Sequence, residues 1–137
     1  MSTADFNTQV INEFRENDGR VGGMFESMRL LLLHHRGAKS GADRISPLAY
    51  LEDDGRYAIF ASKAGAPEHP NWYHNLIAHP ETRVEIGDET IEVTAHVADT
   101  EERDRIYAEQ TSRMPQFGDY EQKTSRKIPV VLLTPTA

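Results

Sequence analysis

Ala61-Ser-Lys-Ala-Gly-Ala-Pro-Glu-His-Pro-Asn-Trp-Tyr-His-Asn75 is where a succession of strands gives way to a helix. Upstream, Arg56–Ala61 is an apolar, strand-like run. Downstream, Pro70 can start a helix, because the N–H that proline lacks is not needed in a first helical turn. That helix is expected over Asn71–Ala78, stopped by His79-Pro80. Between the two lies a loop of small residues that sets a hydroxyl, Ser62, and a cation, Lys63, at a strand end. The helix start adds backbone donors and the sole tryptophan, Trp72. Such a junction can grip an anionic, planar ligand. It can equally be a plain connection with Trp72 packed in the core.

Working outward, Arg29–His35 is a short leucine run suited to a strand buried on both faces. Arg36–Arg44 is a small-residue turn rich in cations. Ile45–Leu51 is a second strand, in which Pro47 suggests an edge or bulge position. Asp53-Asp54-Gly55 turns the chain into the third strand. Thr82–Ile86 and Glu89–Val97 alternate apolar and charged residues about Gly87-Asp88, the pattern of a hairpin. Asp99-Thr100-Glu101-Glu102 has the composition of a helix start, and that helix continues to about Arg113. Met114–Lys123 is a short helix or structured loop, and Ile128–Thr134 a last apolar strand. About six strands at hairpin spacing, broken by helical insertions, indicate an α+β protein: a split antiparallel β-barrel with flanking helices.

Residues 1–17 form an amphipathic helix in which Phe6, Val10 and Phe14 recur every four positions. Its apolar stripe either covers the barrel or faces a partner or membrane surface. The division is then an N-terminal helix over 1–20 and a barrel domain over 21–137. At 137 residues the chain has room for one real core. A formal charge of −7 argues against nucleic-acid binding and requires that any anionic ligand be met by a local cluster of cations. The absence of cysteine excludes disulfides, thiolate metal sites and thiol nucleophiles. The longest apolar run, Leu30–Leu33, is too short to span a bilayer, so the expected compartment is the cytoplasm.

Arg36, Lys39, Arg44 and Lys63 fall in two loops, which can share one barrel end if the first and third strands are neighbours. Gly37, Ala38, Ser40 and Gly41 allow close backbone approach to phosphate or carboxylate. The order of a nucleotide-hydrolysing P-loop is missing. His34, His35, His69, His74 and His79 lack metal-ligand spacing, and Ala61-Ser-Lys-Ala-Gly65 is no nucleophile elbow. Met114, Phe117 and Tyr120, three apart, are either a core stripe or a lid over an apolar substrate.

Four segments together resemble the deazaflavin-dependent nitroreductase family, split-barrel quinone reductases related to the FMN-binding split barrels. They are Gly37-Ala-Lys-Ser-Gly41 with Arg44-Ile-Ser-Pro-Leu48, the run Ala61–Leu76, Ala78–Ile86, and Tyr120 through Arg126 to Val131. Ser62-Lys-x-Gly65 followed by Pro70-x-Trp-Tyr-x-Asn-Leu76 is the specific part. The resemblance spans roughly residues 22–135 and implies reduced coenzyme F420 as cofactor and a quinone, or incidentally a nitro compound, as acceptor. FMN is the alternative cofactor, and a non-catalytic F420 carrier the alternative role.

The resemblance places cofactor-binding positions on Ala38, Lys39 and Ser40, and on Arg44, Ile45, Ser46, Pro47, Leu48 and Ala49. Phe60, Ala61, Ser62 and Lys63 follow, then Asn71, Trp72, Tyr73, His74 and Asn75, and finally Phe117. Lys39, Arg44 and Lys63 are then expected to hold the cofactor's phosphate and oligoglutamate tail, with Trp72 and backbone donors flanking the ring. The implied reaction is hydride transfer, with Ser62 and Tyr120 as catalytic candidates and Met114, Phe117 and Tyr120 as the acceptor pocket. Where the best-known member has three tyrosines this chain has Met114, Phe117 and Tyr120, so two hydroxyls near the acceptor are gone. Split barrels often dimerise, which makes a homodimer a further expectation.

Overall fold

A computed structural model describes residues 3–17, 29–62, 69–124 and 127–136, with side chains from Thr8 onward. Six strands, β1 (Leu30–Arg36), β2 (Asp43–Asp53), β3 (Arg56–Phe60), β4 (Glu81–Ile86), β5 (Glu89–Val97) and β6 (Val130–Pro135), carry the chain. They close into an antiparallel barrel in the order β1-β2-β3-β6-β5-β4. Four helices accompany them among the described residues: α1 (Thr3–Glu16), α2 (Asn71–Ala78), α3 (Thr100–Arg113) and α4 (Gln116–Lys123). The expected α+β barrel is the observed one.

β1 is buried on both faces, as its leucine run requires. Leu31 and Leu33 point into the barrel with Ile59, Val84, Val93 and Leu133. Leu30 and Leu32 point out and meet Val10 and Phe14 of α1. For these two positions the helix stripe is spent on the barrel, since Phe14 is 1% exposed. No described helix is long and apolar enough to cross a membrane. A second apolar cluster lies outside the barrel, where Ala58 and Phe60 of β3 and Leu132 of β6 pack under Ile106, Tyr107 and Phe117 of α3 and α4.

Two local expectations change and one open alternative is settled. β1 and β3 are not neighbours: β2 lies between them. Both run antiparallel to that shared partner, so their far ends still emerge at one barrel end. Met114–Lys123 resolves as helix α4, entered through Pro115 at its N-cap. β6 begins at Val130 rather than Ile128, because Pro129 has no N–H for the ladder; its carbonyl instead accepts from Ala61 N at 3.0 Å. Pro47 sits in the half of β2 paired with β1 alone, beyond the last β2–β3 pair at Tyr50↔Ile59, so it behaves locally as an edge residue.

The barrel is closed by a short seam. β1 meets β4 through only Leu32↔Glu85 and Leu33↔Val84. Side chains reinforce it: Thr82 Oγ1 donates to the His34 carbonyl, and His34 Nε2 donates to Glu85 Oε2 at 2.7 Å. Arg15 of α1 donates to both oxygens of the same carboxylate, at 3.1 and 2.8 Å. The Arg15 hydrogen bonds, helped by that of His34, hold the Glu85 carboxyl below its ordinary range against the cost of its burial.

Candidate functional site

The loop between β1 and β2 is a tight turn. Gly41 N donates to Gly37 O at 2.9 Å and Gly37 N to Ala42 O at 2.9 Å. Gly41 has φ +71°, a left-handed conformation that a side chain resists, and a Cβ at Gly37 would collide with Ser40 Oγ. The loop is fixed to α2 by one side chain: Ala38 N donates to Asn75 Oδ1 at 2.9 Å.

α2 positions the junction. Its buried face carries Trp72, Asn75 and Leu76. Trp72 and Leu76 pack in the barrel interior with Leu33 and Ala61, while Asn75, one turn from Trp72, reaches back toward β1. Asn75 Nδ2 lies 2.9 Å from His35 Nδ1, and His35 Nε2 lies 2.9 Å from Ser46 Oγ. Four positions on three elements and a loop are thereby joined: Ala38, Asn75, His35 and Ser46. In the sequence His35 stands as a candidate metal ligand or triad histidine, and neither reading gives it this role. The signal was present, because His35 continues the inward alternation Leu31, Leu33.

Lys39 and Arg44 are exposed at this end and make no ion pair among the described residues. Arg29, Arg83 and Lys123 likewise form none, but other cations do. Arg56 pairs with Asp53 and Glu102, Arg103 with Asp104 and Glu121, and Lys127 with Asp104. Arg36 has only a loose contact, 3.6 Å to Asp43. His35, Arg36 and Arg44 also line a groove of about 780 Å³ that runs beside His79 and Thr82. That is space for an extended ligand.

At the third side of the junction, Phe60 packs edge-to-face on Phe117, ring centres 5.3 Å apart, and Phe117 on Tyr120 at 5.2 Å. Met114 borders the same cluster, its sulfur accepting from Gln110 Nε2 at 3.4 Å. Phe117 is 5% exposed, so it is a core residue here, and only Met114 and Tyr120 keep open surface. The Tyr120 hydroxyl makes no hydrogen bond among the described residues, whereas Tyr107 donates to Phe117 O at 2.6 Å. Ser62, two residues beyond Phe60, is buried.

Several predicted positions thus have occupations of their own. Trp72 is 7% exposed and packed in the interior, leaving Asn71, His74 and backbone N–H groups as what α2 offers a ligand. Ile45 and Ala49 turn their side chains toward α1, and Leu48 packs against the barrel interior. Tyr73 stacks against His69, ring centres 4.7 Å apart. Lys63 lies outside the described residues.

Burial, with the nearby Arg44 and His34, pushes the His35 imidazole down from 6.5 to about 4. A base with a lowered folded pKa is neutral in the folded protein while the unfolded chain takes up a proton. Its stabilising contribution is complete above pH 6.5 and is lost as pH falls toward about 4. At roughly 1.4 kcal/mol per pKa unit the loss reaches at most about 3.5 kcal/mol. Denaturant midpoints from pH 7 to 4 are expected to fall more steeply for the wild type than for His35→Gln. Parallel curves would show that His35 does not titrate this way.

A sequence model of the F420H(2)-dependent quinone reductase family matches residues 7–135. The F420H(2)-dependent quinone reductase Rv1261c of Mycobacterium tuberculosis is 37% identical over 127 residues, 88% of this chain and 84% of that protein. A solved F420-H2 dependent reductase, FDR-A, superposes with a TM-score of 0.69 at 39% identity, over 76% of this chain and 92% of its own. A further solved structure, described as a domain-swapped dimer, gives 0.71 at 36% identity over 96% and 99%. The donor set in this structure fits an anionic cofactor, since exposed cations without ion pairs stand at one barrel end of an acidic protein. By family model, relatives and fold, the chain belongs to the F420H(2)-dependent quinone reductases, enzymes whose electron donor is the reduced deazaflavin coenzyme F420.

Proposed function

We propose that this enzyme reduces an apolar quinone of the menaquinone class, nitro compounds being incidental acceptors. When bound, the reduced cofactor supplies a hydride from a ring carbon, chemistry that belongs to the deazaflavin itself. The observation that carries the reading is the pair Lys39 and Arg44, exposed and without ion pairs among the described residues in a chain of net charge −7. These side chains neutralise the cofactor's phosphodiester and carboxylates, and the Gly37–Ala42 turn brings backbone N–H groups to the same oxygens. Met114 and Tyr120 wall the acceptor on its apolar side and exclude water. Ser62 donates a hydrogen bond to the ring or to charge developing on it, and the Tyr120 hydroxyl gives a proton to the reduced acceptor.

The test is titration with reduced F420, followed by a soluble menaquinone analogue, watching the oxidised cofactor's absorbance return. Protein-dependent reoxidation is the expected result. Tyr120→Phe and Ser62→Ala are each expected to slow it about tenfold or more with cofactor affinity retained. Binding without reoxidation would leave a carrier, and preference for FMN would overturn the cofactor assignment at this site.

A further inference from the structure

The hydrogen bonds around His35 have only one possible direction. A backbone amide can only donate, so Ala38 N fixes the Asn75 side-chain oxygen as acceptor, at 2.9 Å. The other end of that amide is therefore its NH₂, which donates to His35 Nδ1 at 2.9 Å. His35 Nδ1 then carries no proton, and the neutral ring holds its hydrogen on Nε2. That hydrogen goes to Ser46 Oγ at 2.9 Å. Ser46 accepts, so its own hydroxyl hydrogen points elsewhere, and it finds no other partner among the described residues. A hydroxyl that accepts from a polarised chain is also a stronger donor.

The register says what this donor faces. His35 stands opposite Arg44 across the β1–β2 ladder, and Arg44 and Ser46, two apart on β2, share one face. Ser46, opposite Leu33, lies half-buried on the barrel's inward side, at the end where His35 and Arg44 line the groove. A guanidinium beside such a hydroxyl suits an anionic oxygen of phosphate or carboxylate type.

We propose that His35 is a positioning residue which, through the Nε2–H tautomer imposed by Asn75, presents the Ser46 hydroxyl as a hydrogen-bond donor to an anionic oxygen of the bound cofactor. This rests on the F420 reading above. The same relay ties that donor to the Ala38 loop and to α2, so the parts that meet the ligand are held in one register.

The experiment combines nitrogen-15 NMR of the histidine rings with F420 affinities of four proteins: wild type, Ser46→Ala, His35→Gln and the double variant. The wild-type His35 ring is expected to be protonated at Nε2 alone at neutral pH. Each single variant is expected to bind F420 about tenfold more weakly, as for one lost hydrogen bond to a charged group. The double variant should be no weaker than either single, because both act through one hydroxyl. Independent packing effects would add instead. Asn75→Asp, the same shape with an acceptor in place of the NH₂, should move a proton onto His35 Nδ1. A wild-type ring protonated at Nδ1, additive losses, or an unchanged affinity in Ser46→Ala would overturn the proposal. If the wild type bound no F420, the cofactor assignment would fall, and the tautomer would still decide the relay.

Discussion

Replacing Lys39 and Arg44 together by alanine is expected to weaken F420 binding about 100-fold while leaving the folded protein intact. Each hydrogen bond to a charged partner contributes roughly 1.5–3 kcal/mol, so two lost cations correspond to about two or more factors of ten. Both side chains are exposed and form no ion pair among the described residues, so little folding energy goes with them. Arg113→Ala is the control, since that cation is paired to Glu109 on α3. Binding titrations at two salt concentrations give a second check, because salt screens an exposed charged contact. An affinity within about threefold of wild type, where a charged contact predicts far more, would show that the loop cations do not meet the cofactor.

Phe117→Ala should destabilise the fold by about 4 kcal/mol, the middle of the range for a buried aromatic. Phe117 is 5% exposed and its ring meets those of Phe60, Tyr107 and Tyr120 edge-on, at 5.3, 6.3 and 5.2 Å. These contacts join β3, α3 and α4, so truncation opens a cavity that no single neighbour can fill. Phe117→Leu keeps most of the volume and should cost less than about 1.5 kcal/mol. Urea unfolding measures both. A loss below that figure for the alanine variant would mean that α4 adds little to the fold. With reduced F420 bound, the same variant should also lose rate, because Tyr120 is held in place by the ring that has been removed.

The elements with strong local signals were legible from the chain alone. α2 and β5 have their expected bounds, Asn71–Ala78 and Glu89–Val97. α3 begins where Asp99 can cap it, its carboxylate accepting from Glu102 N at 2.8 Å. What was not legible depends on pairing across the sheet. That β2 separates β1 from β3 is a non-local choice, made by which apolar faces close the barrel. At the site, the basic loop and the junction helix could be read from residue types and from resemblance. The fate of Trp72 could not, since an indole at a helix start serves a core or a ligand equally well. His35 was overlooked because its meaning lies in Asn75, forty positions along the chain.

The single carboxylate at the barrel seam ties two events together. Glu85 receives Arg15 from α1 and His34 from β1 at the point where β1 and β4 share only two residue pairs. Undocking of the N-terminal helix and parting of the β1–β4 edge therefore draw on the same charge. Each makes the other easier, and the two behave as one cooperative opening rather than as separate fraying. In amide exchange the α1 and seam protons should report one shared free energy, and Glu85→Gln should lower both together.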